Sequence, residues 1–150
     1  MNLAQLLQDK REEIVAAAAA SLNRSHLPHY EQAGPQQSHE RLARLYDLIR
    51  QSIEQRHLEA IINHAERIAQ ERFAAGYDLL ELQTAFNALE VAIWQKIVQE
   101  YPPDELVEAI GLVSTVQGAA KDALARRYAS LASQTKVTTL NLGALFGGKG

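Results

Sequence analysis

The sequence contains no cysteine. That absence excludes disulfides, thiolate metal sites, cysteine nucleophiles and thioether-linked haem or bilin together. Long apolar runs are missing too. The longest, "IVAAAAASL", is mostly alanine and falls far short of the roughly 20 residues that span a bilayer. The first residues, "MNLAQLLQDKREEIV", read as too polar for a secretory leader. The excess of either charge is small: the formal net charge is −3, so no global basic field draws nucleic acid or anionic lipid. The expectation is a protein of the cytoplasm with no nucleic-acid and no membrane partner. Strand signals are nearly absent as well, with no sustained period-2 alternation.

What is present is helical periodicity. The 150 residues suit one domain, and 47% hydrophobic content supplies a core without staples. Leu3, Leu6, Leu7 and Ile14 share a stripe that predicts a first helix over 2–23. The stretch "NRSHLPHYEQAGPQQS", with Pro28, Gly34 and Pro35, reads as a long irregular connection. Ser38 is a suitable N-cap for a second helix, in which Leu42, Leu45, Ile49 and Ile53 step by three or four and which ends near Arg56 or His57. A third helix carries Ile61, Ala65, Ile68, Ala69 and Phe73 on one face.

The segment "FAAGYDLLELQTAF" then specifies a corner. Gly76 suits the left-handed position that ends a helix. Asp78 and Glu81 have capping-box spacing for the next one. Tyr77 and Leu82 occupy the positions of a hydrophobic staple. The fourth helix places Leu82, Phe86, Leu89, Ile93 and Ile97 on one stripe. Leu80, Val91, Trp94 and Val98 widen it, which predicts the most buried helix. Pro103, with Asp104 and Glu105 behind it, opens a fifth helix over 103–135. At 1.5 Å per residue this helix approaches roughly 45 Å. Gly111 and Gly118 lie inside it on nearly one face, and each costs about 1 kcal/mol against alanine. That cost predicts a close helix contact or a kink. Residues 136–150 read as a flexible or partner-binding tail. The fold class is all-α: a single-domain bundle of about five helices, globin-like in one version, with a long C-terminal helix.

Candidate chemistry is sparse. "EQRH" puts Glu54 and His57 at the E-x-x-H spacing of di-iron bundles, but those need a second such motif and two further inward glutamates. No metal site is expected. His57 and His64 stand two helical turns apart, which makes them candidates for axial haem ligation against the commoner reading of plain surface or core histidines. His26 and His29 lie in the irregular loop, either solvated or assisting a ligand site. Arg126 and Arg127, beside Lys121 and Asp122, read as a solvated mixed face. "GGKG" lacks the strand that precedes a phosphate loop. Serine, histidine and aspartate form no nucleophilic pattern, so no catalytic residue and no bound cofactor is expected. Tyr77, Phe86 and Trp94 read as core, with a pocket or interface made by Phe86, Trp94, Gly111 and Gly118 as the other option.

The segment "HAERIAQERFAAGYDLLELQTAFNALEVAIW" resembles the N-terminal domain of RsbRD-type proteins, the co-antagonists of the RsbT kinase. The matching positions are His64, Ile68, Ala69, Arg72, Gly76, Tyr77, Leu79 or Leu80, Glu81, Phe86, Leu89 and Ile93. The likeness extends from about residue 3 to about residue 130, and its sharp part covers about thirty residues. It implies an all-helical sensory or interaction domain over 1–135, one that self-associates and feeds an output domain. The expected function is then a non-enzymatic signalling or regulatory module. It would act as a homodimer on a protein partner, on an output domain in trans, or as one domain of a longer chain. The alternative is a sensor with a globin-like pocket for a tetrapyrrole or another small hydrophobic molecule.

Overall fold

The structure is a computed structural model that describes residues 2–146, with side chains through Lys136. The described residues form seven α-helices and one 3₁₀ turn, with no strand. This bears out the all-α reading and the long C-terminal helix, but the helix count is higher than expected.

The first expected helix is two: α1 (Leu3–Asp9) and α2 (Arg11–Arg24). Asn2 caps α1, its side-chain oxygen accepting from the Gln5 N–H. Lys10 leaves the helical basin at φ −102° and ψ 12° and bends the chain. No glycine or proline marks this bend. A tertiary contact accompanies it: the Leu7 carbonyl at the bend accepts from the buried Tyr46 hydroxyl.

The connection expected to be irregular contains α3 (Pro28–Ala33), and α4 (Pro35–Gln55) begins directly after it. Both prolines occupy first helical positions, where the missing N–H is harmless and the fixed φ is already helical. Gly34, at φ +90°, turns the chain between the two helices. Ser38 is therefore not the N-cap of α4. It sits inside the first turn, buried, with its hydroxyl unpartnered among the described residues. Helix α4 ends as expected, with Arg56 in the left-handed region at φ +55°.

Next come α5 (Glu59–Ala74), α6 (Leu79–Glu100), a 3₁₀ turn at Pro103–Glu105 and α7 (Leu106–Phe146). The α7 backbone continues past residue 136. The tail reading of 136–150 depends on side chains that, from residue 137 on, lie outside the described residues. The most extensive helix pair is α5–α7, followed by α2–α6, α6–α7 and α2–α4. The core joins Leu7, Ile14 and Leu22 to Tyr46, Ile49, Ile61, Leu82, Leu89, Ile93, Ile97 and Leu124. Each such aliphatic side chain contributes about 1.5–3 kcal/mol when fully buried. Polar links also join the helices across the surface. Arg11 grips Asp47 with two parallel bonds of 2.8 and 3.0 Å. Lys96 reaches Glu13 at 2.7 Å, and Lys121 reaches Glu90 at 2.6 Å.

Candidate functional site

The corner between α5 and α6 has the local chemistry that its residues predict. Gly76 takes φ +91°. The Tyr77 N–H donates to the Arg72 carbonyl at 3.0 Å, and the Gly76 N–H to the Phe73 carbonyl at 3.1 Å. That pair of bonds is a Schellman stop. The Asp78 side chain then accepts from the Glu81 N–H at 2.9 Å, and the Glu81 side chain accepts from the Asp78 N–H at 3.1 Å. Both halves of the capping box are present.

Three further elements close on this corner. From α3, the His29 ring stacks on Tyr77 with centroids 4.7 Å apart, and Tyr30 meets Tyr77 edge-on at 5.3 Å. His29 Nδ1 lies 2.7 Å from Glu81 Oε1, and the His29 backbone N–H donates to Oε2 at 3.1 Å. From α4, the Arg41 guanidinium donates to the Tyr77 hydroxyl at 2.9 Å. From α7, the Tyr128 hydroxyl donates to the Tyr77 carbonyl at 2.8 Å. The guanidinium carbons of Arg41 and Arg72 stand 5.9 and 5.8 Å from the Tyr77 ring centre, within cation–π range. Glu81 is 3% exposed, and such a buried carboxylate needs its full set of donors. The corner residues were legible locally, but His29, Arg41 and Tyr128 approach from 36 to 52 positions away, which no local pattern reveals.

The histidine candidates separate. His57 is exposed in the connection before α5, so it does not share a helical face with His64. Glu54 pairs with Arg50 at 3.0 Å. His64 is buried on α5, at the floor of a cleft between α4 and α5. Burial, reinforced by Arg67, Arg44 and Arg72, pushes its pKa from 6.5 down to about 4, which keeps the ring neutral. Among the described residues no three histidine, aspartate or glutamate side chains gather as a metal site. Arg126 pairs with Asp122 at 2.9 Å, and Arg127 reaches Gln70 at 3.4 Å.

The aromatic and glycine candidates also separate. Phe86 is buried in the core, whereas Trp94 is 40% exposed. Gly111 and Gly118 lie on the exposed side of α7, and a Cβ at either would meet nothing within 4 Å. The expected close helix contact is therefore absent at these two positions. Leu80, Val91 and Val98 are exposed together with Trp94, so the stripe expected to widen the buried face of α6 points outward instead. The spacing explains it. Leu80, Thr84, Asn87, Val91, Trp94 and Val98 recur at four and three residues, the repeat of a coiled-coil seam. This seam lies beside the core stripe rather than within it.

Among the described residues no helix is long and apolar enough to cross a membrane. Comparison of the chain with protein-family models, with curated proteins and with solved structures found no match.

Proposed function

We propose that the chain is a non-enzymatic signalling or regulatory module that works through protein–protein association, pairing with a second copy through α6 and the start of α7. One observation carries this reading. Among the described residues the exposed large hydrophobic side chains are Leu80, Val91, Trp94, Val98 and Val107, and all five lie on α6 and the first turn of α7. Four of them occupy the four-three seam of α6, a spacing that suits a facing helix better than a small molecule. The likeness to RsbRD-type domains, sharpest over residues 64–94, supports the same reading. In such a module the output lies on a partner or on another domain. The tetrapyrrole alternative has less support, since His57 stands outside α5 and the cleft above His64 is lined mainly by charged side chains.

Sedimentation equilibrium tests the proposal. The expected result is a dimer at micromolar concentration that Trp94→Glu with Val98→Glu converts to a helical monomer. A wild-type chain that stays monomeric throughout that range overturns it.

A further inference from the structure

The protein carries a net charge of −3, yet the α4–α5 cleft is basic. The cleft has a volume of about 520 Å³, within the range of small-molecule sites. Four arginines line it: Arg41 and Arg44 from α4, Arg67 and Arg72 from α5. Two carboxylates, Glu40 and Glu71, oppose them. With His64 neutral, the lining carries two uncompensated positive charges.

The arginines differ in how far they are already committed. Arg72 pairs with Glu71 at 3.2 Å. Arg41 donates to the uncharged Tyr77 hydroxyl, which leaves its charge unbalanced. Arg44 and Arg67 make no hydrogen bond or ion pair among the described residues, although arginine is the side chain best shaped to grip an oxyanion in a fork. Below them His64 has no hydrogen-bond partner among the described residues either, and it is 8% exposed. Unpaired guanidinium groups gathered in a concavity over an unpartnered imidazole form an incomplete site. What it lacks is an acceptor of matching charge.

We propose that the α4–α5 cleft binds a small organic polyanion, a phosphate- or carboxylate-bearing metabolite, held by Arg44 and Arg67 at the mouth with Arg41 and His64 beneath. A ligand of this size fits the concavity better than a protein surface does, because His64 lies on the floor, out of reach of a flat partner. Arg41 bonds the Tyr77 hydroxyl, and Arg72 stands over the Tyr77 ring, so an anion drawn to these arginines acts directly on the α5–α6 corner. The site is built on α4 and α5 and does not depend on association through α6.

Isothermal titration calorimetry on the full chain at fixed ionic strength tests it, with pyrophosphate and citrate as probes. The expected result is saturable one-to-one binding of at least one probe, with a shift of the His64 ring signals in NMR. Arg44→Gln with Arg67→Gln should weaken binding by about tenfold or more. Because both side chains are exposed and unpaired, the circular dichroism spectrum should not change. Arg126→Gln, outside the cleft, should bind as the wild type does. A response to pyrophosphate alone assigns a phosphoryl ligand, and a response to citrate alone a carboxylate ligand. No saturable heat with either probe up to about 10 mM, or affinity unchanged in the double variant, overturns the proposal.

Discussion

Glu81 holds His29 twice, through the imidazole at 2.7 Å and through the backbone N–H at 3.1 Å, across 52 residues of chain. A carboxylate only accepts, so Nδ1 carries the proton in this pair. The same carboxylate also caps α6 by accepting from the Asp78 N–H. One side chain therefore closes a helix end and fastens α3 to it.

That double duty separates two substitutions that would otherwise look alike. Asp78→Ala removes one cap bond at an exposed position and should cost about 1 kcal/mol. Glu81→Ala removes the other half of the box and both bonds to His29 in a buried setting, and should cost about 3 kcal/mol. Urea denaturation of the two variants checks the difference. Equal losses would mean that the α3 contact contributes nothing.

The corner also shows what could be read in advance. A helix stop and a helix start are settled within a few residues, so Gly76, Tyr77, Asp78 and Glu81 were legible as a unit. Helix α3 was not, because a six-residue helix is too short to show periodicity and its prolines signal a break as readily as a first turn. The bend at Lys10 carries no residue signal at all. Its visible partner is Tyr46, 39 positions from the Leu7 carbonyl that it engages. Trp94 and Val98 were misplaced for a different reason. Apolar character marks a face for burial without saying whether the burying surface belongs to the same chain. The arginine cleft was invisible because its charges come from two helices, α4 and α5, and neither helix alone shows that they converge.

Acid should weaken the fold through His64. Its folded pKa is about 4, against about 6.5 in an unfolded chain. Between these values the unfolded state binds a proton that the folded state does not, so stability is fully present above about pH 6.5 and is lost as pH falls toward 4. The cause is first burial, then the positive charges of Arg67, Arg44 and Arg72, offset in part by Glu71. Allowing for screening at the cleft mouth, the loss attributable to this group should be about 2 kcal/mol. Chemical denaturation at about pH 7.5 and about pH 5 measures it, and His64→Gln should flatten the difference between the two.

Gln117 should be replaceable at a gain. It is fully buried on α7, and both ends of its amide lack a hydrogen-bond partner among the described residues. A buried amide left unpaired costs a few kcal/mol relative to water. Gln117→Met keeps the length and removes the polar atoms, and should raise stability by about 1 kcal/mol. Gln117→Ala instead leaves a cavity and should not. Thermal unfolding of the pair distinguishes relief of an unpaired amide from a simple change of packing.

Trp94 offers a direct view of the proposed seam, because it is the protein's single tryptophan and is 40% exposed in the isolated chain. Burial against a facing helix would move the indole from a partly aqueous to an apolar setting. Its emission should therefore shift to the blue as concentration rises through the association range, and to the red on dilution. Val98 lies one turn further along the same face and makes no contribution to the internal core. A charge there should break association and leave the monomer intact. Val98→Glu should thus hold the emission at the dilute-limit wavelength at every concentration, with helical content unchanged. A concentration-independent spectrum in the wild type would place the indole outside any self-contact and leave the α6 row to a different partner.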